Sequence, residues 1–399
     1  VKIKKSLNLD NFFKIGLFIF VFLIFHSTKY SGRVVEYMLF PLFVIKIIKS
    51  RNYHKSGLEI PLGMFLFSIY ISSIGAFHSK SVIDNLKGTF NFFGLPILIS
   101  QFDIDKKDRK RIIYISLLSF ILKLSKGYLE KFGYIEGLYN GMRISGGEEV
   151  WRYAGVLMVG LVFLLSFLFF KKINRKKTVS LITLTLLTIM ILIWTQNRGN
   201  WIGALGVLGL IFILKFKWKS FYLVVASMLI IGITFQNFSN NPYIQRAKSI
   251  VNISSNRSNL GRVELWQESV KIFRENSLKG IGYSTRNFAN SEEPENYKNL
   301  DKRPYHHPHS SYFYLLATNG IIGFLSYLYL CSWELWKCFI NRENIYGVTA
   351  LLVKVSILIF GLVETAVEYS DIQGLFYLIF ALLLLDQKGK KNEFSFCNK

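Results

Sequence analysis

The sequence predicts an all-α protein: a polytopic membrane helix bundle of about 12 transmembrane helices with one large extracytoplasmic loop containing an amphipathic helix. Three observations lead there. Apolar stretches recur along the whole 399-residue chain, and at about 20 residues per crossing they would take up more than half of it. Hydrophobic residues make up 51% of the sequence, with 36 Phe and 21 Tyr, and the mean hydropathy is +0.32. The charged residues, 19% of the total, gather between the apolar runs. That distribution excludes a soluble globular enzyme and makes 1–399 a single integral-membrane domain.

In order, the spans read as 12–25, 34–48, 58–77, 86–101, 112–124, 153–170, 178–195, 201–216, 220–235, 312–333, 348–367 and 374–385. The first follows a basic stretch, but no small-residue cleavage site follows FLIFHSTKYSGR, so it reads as a retained helix. Sidedness comes from the Lys and Arg residues. With Lys2, Lys4, Lys5 and Lys14 inside, the inner segments, among them 46–55, 105–111, 171–177, 215–219 and the tail, hold 27 Lys and Arg, against ten in the short outer loops. The positive-inside rule then places both termini in the cytoplasm. The formal charge of +24 is thus a matter of sidedness, and no nucleic-acid motif accompanies it. Cys331, Cys338 and Cys397 show no CxxC or metal spacing, so no structural disulfide is expected.

Residues 236–311 break the pattern of short loops with a polar outer stretch, and long loops in compact architectures usually carry function. Within it LGRVELWQESVKIFREN reads as an amphipathic helix, with Val263, Trp266, Val270 and Phe273 on one face, Asn259 as a cap and Gly280 as its stop. The stretch 286–305, rich in Asn, Glu, Lys and Pro, reads as a flap.

Candidate chemistry sits on the outer face. In TQNRGNWIGALG, Arg198 lies in a very short turn between two spans, where a guanidinium either snorkels to the interface beside an anchoring Trp201 or grips phosphate as a planar fork. Gly199 and Gly203 form a GxxxG that suits close helix packing. Arg262 stands at the edge of the loop helix's apolar face, either solvated or reaching over the membrane. Glu264 and Glu268 read as surface partners of Lys271. His306, His307 and His309 precede a span and raise the question of a metal, but no outer carboxylate or Cys stands at a ligand spacing. Pro308 fits the first helical position, which would put His309 in the first turn; the positive end of that helix would disfavour imidazolium and leave a proton acceptor.

At these places the sequence resembles the O-antigen ligase and Wzy-type O-antigen polymerase superfamily of bacterial membrane glycosyltransferases. Arg198, Gly199 and Trp201 match its Arg-small-x-Trp turn. Arg262, Trp266, Gly280 and Gly282 match an Arg-x-x-x-Trp helix leading to Gly-x-Gly. His309, Ser310, Gly320 and Gly323 match a His-polar step followed by Gly-x-x-Gly, with Ser310 where Asn is common. RISGG at 143–147 looks like the family's Arg-x-Ser-Gly turn. The resemblance covers roughly residues 143 to 325.

It implies an enzyme that moves a glycan from undecaprenyl diphosphate to a sugar hydroxyl, without cofactor or metal, in surface polysaccharide biosynthesis: O-antigen, capsule or lipopolysaccharide. The acceptor would be another lipid-linked repeat or a lipid A core, and the enzyme would lie among the lipids of the bacterial inner membrane with its active site facing the periplasm or exterior. His309, Arg198 and Arg262 would be catalytic; Arg143, Trp201, Trp266 and His307 would contact substrate. The other class weighed, a 12-helix transporter or polysaccharide flippase, expects two similar halves and ionisable residues at mid-membrane. No half-to-half similarity is visible, and Lys354 and Glu364 are among the few buried-charge candidates.

Overall fold

The computed structural model describes residues 9–139, 142–216, 222, 241–250, 257–290 and 307–397. Among these every regular element is helical. Each expected span overlaps a helix except 220–235, which apart from residue 222 lies outside the described residues. Lys2, Lys4, Lys5, His306 and the 291–305 part of the expected flap also lie outside them. Among the described residues six helices are long and apolar enough to cross a membrane: Lys106–Lys131, Val150–Phe170, Arg175–Trp194, Arg198–Phe216, Ser311–Ile340 and Ser370–Lys388. Glu59–Ser72 and Ile345–Phe360 are apolar but shorter.

Local chemistry explains the departures from simple spans. The helix from Thr28 runs through a π-helical turn at Val35–Leu39 into Phe40–Ser50. The expected 86–101 span is two helices, Ser79–Phe93 and Leu95–Ser100, because Pro96 at the start of the second has no N–H to carry the ladder across. Asp105 and Asp108 form a capping box that starts Lys106–Lys131. Val150–Phe170 is apolar all round and lies buried at the centre, while Arg175–Trp194 leaves Val179, Leu186 and Met190 exposed on the outside.

One end of the bundle is closed by ion pairs among the basic segments: Lys46 to Asp10 at 3.0 Å, Lys14 to Asp108 at 2.7 Å and Arg109 to Asp386 at 2.6 Å. Within the bundle Lys354 and Glu334 are fully buried and meet at 2.6 Å, with the Phe376 ring 4.8 Å from the ammonium. Each charge compensates the other, which offsets a desolvation cost that neither could bear alone.

The other end is shaped by a break in Ser311–Ile340. At Gly320 the backbone leaves the helix, with φ 61° and ψ −163°. The segment after the loop helix fills the gap. Ile281 and Gly282 N–H donate to the carbonyls of Ala317 and Thr318, and Ile321 and Ile322 N–H donate to Ser277 and Leu278. The broken helix thus has its backbone groups satisfied by the loop, as burial requires. A Cβ on Gly280 (φ 67°) would stand 2.3 Å from the Thr318 carbonyl carbon, and one on Gly320 2.4 Å from Leu278 O. Only glycine permits this approach.

Candidate active site

The loop helix, Arg257–Glu275, packs on the Ser311–Ile340 helix through Leu265, Ser269 and Ile272, with Val263, Trp266, Val270 and Phe273 half-buried beside them. Asn259 is not its cap: the helix begins earlier, and the Asn259 amide donates instead to Ser249 O at 2.9 Å. Glu268 pairs with Lys271 at 3.9 Å on the surface, as expected. The indole N–H of Trp266 donates to Pro308 O at 2.9 Å and its ring stacks on Phe313, so this helix holds the residue next to His309 in place.

His309 is not in the first turn of the following helix. That helix begins at Ser311 with Ser310 as N-cap, and His309 precedes it in the left-handed region at φ 49°. A histidine held there costs on the order of 1 to 3 kcal/mol and is kept only where surrounding bonds fix it. The bonds are present. Ser311 N–H donates to Gly361 O at 2.8 Å, its hydroxyl donates to Glu364 O, and the Ser310 hydroxyl donates to Gly361 O at 3.4 Å. This is what Ser310 does where Asn is common.

The same staple delivers Glu364, which sequence reasoning assigned to the 348–367 span and to no site. The helix ends at Phe360, with Gly361 as its C-cap, and the turn after it places the carboxylate 3.0 Å from His309 Nδ1. Glu364 is buried; burial raises its carboxyl, but His309, His307 and Arg262 outweigh this and hold it at about 2. The expectation that a helix N-terminus governs His309 is thereby corrected: the helix starts after it, and the group that meets its Nδ1 is the Glu364 carboxylate. His307 lies against His309, ring centroids 4.5 Å apart, with its Nδ1 3.0 Å from the Thr365 hydroxyl. No carboxylate or Cys stands at a ligand spacing from these histidines in the sequence, but the fold supplies one from a distance: His307, His309 and Glu364 bring three ligand-type atoms within 4.8 Å of one another. The missed signal was Gly361, three residues before Glu364 and near the end of an apolar run.

Arg198 is buried at the start of its helix. It donates to Ser249 O at 2.8 Å, to the Ser249 hydroxyl at 2.9 Å and to the Ser258 hydroxyl at 3.3 Å. With Arg262, Asn259 and Trp266 it lines a cavity of about 200 Å³. Arg143 donates to the carbonyls of Thr195 and Gln196 at 3.1 and 3.3 Å, and Arg246, which sequence reasoning did not single out, donates to the same Gln196 carbonyl at 3.3 Å. Gln196 is itself strained, at φ 51°. The turn bearing Arg143 is fixed by the buried Glu130, which accepts from the N–H of Ser145 and of Gly146. Burial, then the charge of Arg246, pushes the Arg143 guanidinium below its usual range; burial, then the charge of Arg262, does the same for Arg246. Arg143, Arg198, Arg246 and Arg262 therefore crowd one region, an arrangement suited to a polyanion.

Trp201 donates its indole N–H to Leu192 O at 2.8 Å, tying two helices together. Gly199 and Gly203 face the Ile345–Phe360 helix: a Cβ on Gly199 would meet Phe360 at 3.0 Å, and one on Gly203 the Ser356 carbonyl at 3.1 Å. The GxxxG is a packing surface. His309, Glu364 and the Arg262 helix share one end of the bundle, since Trp266 bonds to Pro308 and Val363 lines the arginine cavity.

Residues 183–328 match the family model described as O-antigen ligase. No curated protein is significantly similar to the chain.

Proposed function

We propose that the chain, whose residues 183–328 match the family model described as O-antigen ligase, is a membrane glycosyltransferase that moves a glycan from undecaprenyl diphosphate to an acceptor sugar hydroxyl on the outer face of the bacterial inner membrane. The observation that carries this reading is the pairing of the His309–Glu364 dyad with an arginine cavity at the same end of the bundle.

Arg198 and Arg262 hold the donor's diphosphate and oppose the charge that grows on it as the bond breaks. Arg143 lies beside them as a further donor. Glu364 meets the ring at Nδ1, and the scheme assigns Nε2 to the acceptor hydroxyl. In the neutral tautomer protonated at Nδ1, Nε2 accepts the proton of the acceptor hydroxyl as its oxygen attacks the anomeric carbon. The bond from that carbon to the diphosphate breaks, and its electron pair leaves with the diphosphate. Such a leaving group is already a stable anion and needs no general acid. Glu364 orients the imidazole and balances imidazolium. His307, held by Thr365, flanks the ring, while Trp266 and Trp201 position the two arginine-bearing segments.

Metal is not required in this scheme. The guanidinium groups supply the positive charge, and the three ligand-type atoms of His307, His309 and Glu364 already accept or donate hydrogen bonds within the protein. Deleting the gene should cause a lipid-linked glycan to accumulate on the outer leaflet, and purified protein should transfer that glycan in excess EDTA with release of polyprenyl diphosphate. Accumulation on the inner leaflet would make the protein a flippase, and a requirement for added Mg²⁺ or Mn²⁺ would overturn the metal-free chemistry.

A further inference from the structure

A second cleft opens at the same end of the bundle, away from the arginines. It has a volume of about 900 Å³ and lies between the Glu59–Ser72 and Ser79–Phe93 helices and the π-helical turn at Val35–Leu39. One wall is aromatic and open to the surroundings of the bundle, with Phe67 and Tyr70 exposed. The other is polar: Glu36, Asp84, Lys87 and Asn91. The extra residue of a π turn changes which side chains face inward, and such turns mark functional sites often. Here the turn brings Glu36 to the Asn91 amide, which donates to it at 2.7 Å. Gly63 and Gly88 belong to the two helices, and a Cβ on either would meet nothing within 4 Å. Asp84 is shared with a smaller pocket of about 500 Å³ that carries His78, Lys80 and Arg286.

We propose that this cleft binds the acceptor, a glycolipid, with its apolar chain along Phe67 and Tyr70 and its sugar head group on Glu36, Asp84, Lys87 and Asn91; this rests on the transferase reading above. The chemistry separates it from the donor site. Two carboxylates repel a diphosphate but accept hydrogen bonds from sugar hydroxyls, and Lys87 and Asn91 supply donors to the remaining oxygens. An aromatic wall beside a polar wall matches a molecule with a lipid tail and a hydroxyl-rich head. The cleft is also joined to the reacting end. Asn85, next to Asp84, donates to Tyr283 O at 3.1 Å and to Glu368 at 3.3 Å, four residues beyond Glu364, while Asn287 accepts from the His78 N–H at 2.7 Å. The helix that carries Asp84 is thus bonded, through Asn85, to the segment that follows Glu364.

Two measurements test this. A photo-crosslinking residue placed in the cleft, Phe67→p-benzoylphenylalanine, irradiated in cells and analysed by mass spectrometry, should capture a glycolipid that lacks diphosphate. Capture of phospholipid alone, or of the polyprenyl diphosphate donor, would overturn the assignment. In the purified enzyme, Asp84→Asn should raise the acceptor KM roughly tenfold to a hundredfold, as for loss of a charge-assisted bond, with the donor KM unchanged. An unchanged acceptor KM, or a raised donor KM, would contradict it. Capture of glycolipid by a protein without transferase activity would leave the cleft standing and sink the transferase reading instead.

Discussion

His309 Nδ1 meets Glu364 Oε1 at 3.0 Å across 55 residues of chain. The two helices between them, Ser311–Ile340 and Ile345–Phe360, run away from this end of the bundle and back to it. The contact exists because the second helix stops at Gly361 and the bonds from Ser310 and Ser311 pin the turn that follows.

If Glu364 orients the imidazole, Glu364→Gln keeps the shape but loses the charge that balances imidazolium. Transfer should fall between about tenfold and 10³-fold, within the range that a general base contributes, with donor affinity preserved. Because the carboxyl is held at about 2, it is ionised throughout an assay from pH 5 to 9. Its stabilising effect is complete above the ordinary glutamate range near 4.3 and is lost only as pH falls towards about 2. Steady-state rates beside donor-binding isotherms decide this, and a Gln variant with normal turnover would leave Glu364 a mere staple.

Arg198 and Arg262 differ from interfacial anchors in what lysine does to them. A snorkelling arginine tolerates lysine, whereas a planar fork on a diphosphate does not. Arg198→Lys and Arg262→Lys should each slow transfer roughly tenfold to a hundredfold, the equivalent of losing one charge-assisted bond. Arg274→Lys, on the exposed side of the loop helix, should be silent. Initial rates at matched protein levels provide the comparison.

The break at Gly320 makes a stability prediction. Gly280→Ala and Gly320→Ala each drive a Cβ into backbone at a positive φ, and the strain should cost on the order of 1 to 3 kcal/mol. Gly209→Ala, in a helix with open space around it, should be neutral or slightly stabilising. Thermal unfolding in detergent measures all three, and wild-type melting of both variants at the break would show that the loop does not bind there.

Glu368 predicts a dependence on pH. Burial raises its carboxyl to about 7, although the Tyr314 hydroxyl that donates to it pulls the other way. An unfolded glutamate titrates near 4.3, so the folded protein binds this proton more tightly. Stability from this group is fully present below about 4.3 and declines as pH rises to about 7. The melting temperature of Glu368→Gln should therefore fall less than that of the wild type between pH 5 and 8. Parallel declines would contradict the assignment.

The helices were legible because apolar runs of membrane length declare themselves; as candidates, Arg198 stood out in a short polar turn between such runs, Arg262 at the edge of an amphipathic helix, and His309 in a histidine cluster before a span. Glu364 and Arg246 were not. One hid at the end of an apolar run whose helix stops early, and the other had no motif around it. Their places depend on contacts 50 residues away or more, which periodicity does not carry. The backbone of His309 was misjudged for a related reason: Pro308 signals a helix start, but the bonds to Gly361 and Glu364 move that start to Ser311. The glycines at 280 and 320 were visible as motifs, while the mutual fit that requires them appears only when loop and broken helix are seen together.

The central claim is that His309 acts on the acceptor hydroxyl and the arginines act on the diphosphate. It is tested most directly by His309→Ala in purified, folded protein, with lipid-diphosphate donor binding and glycan transfer measured on the same sample. Donor affinity should stay close to that of the wild type, while transfer falls by about 10² to 10⁴, the contribution of a general base. Transfer at the wild-type rate, or loss of donor binding in step with activity, would contradict the account.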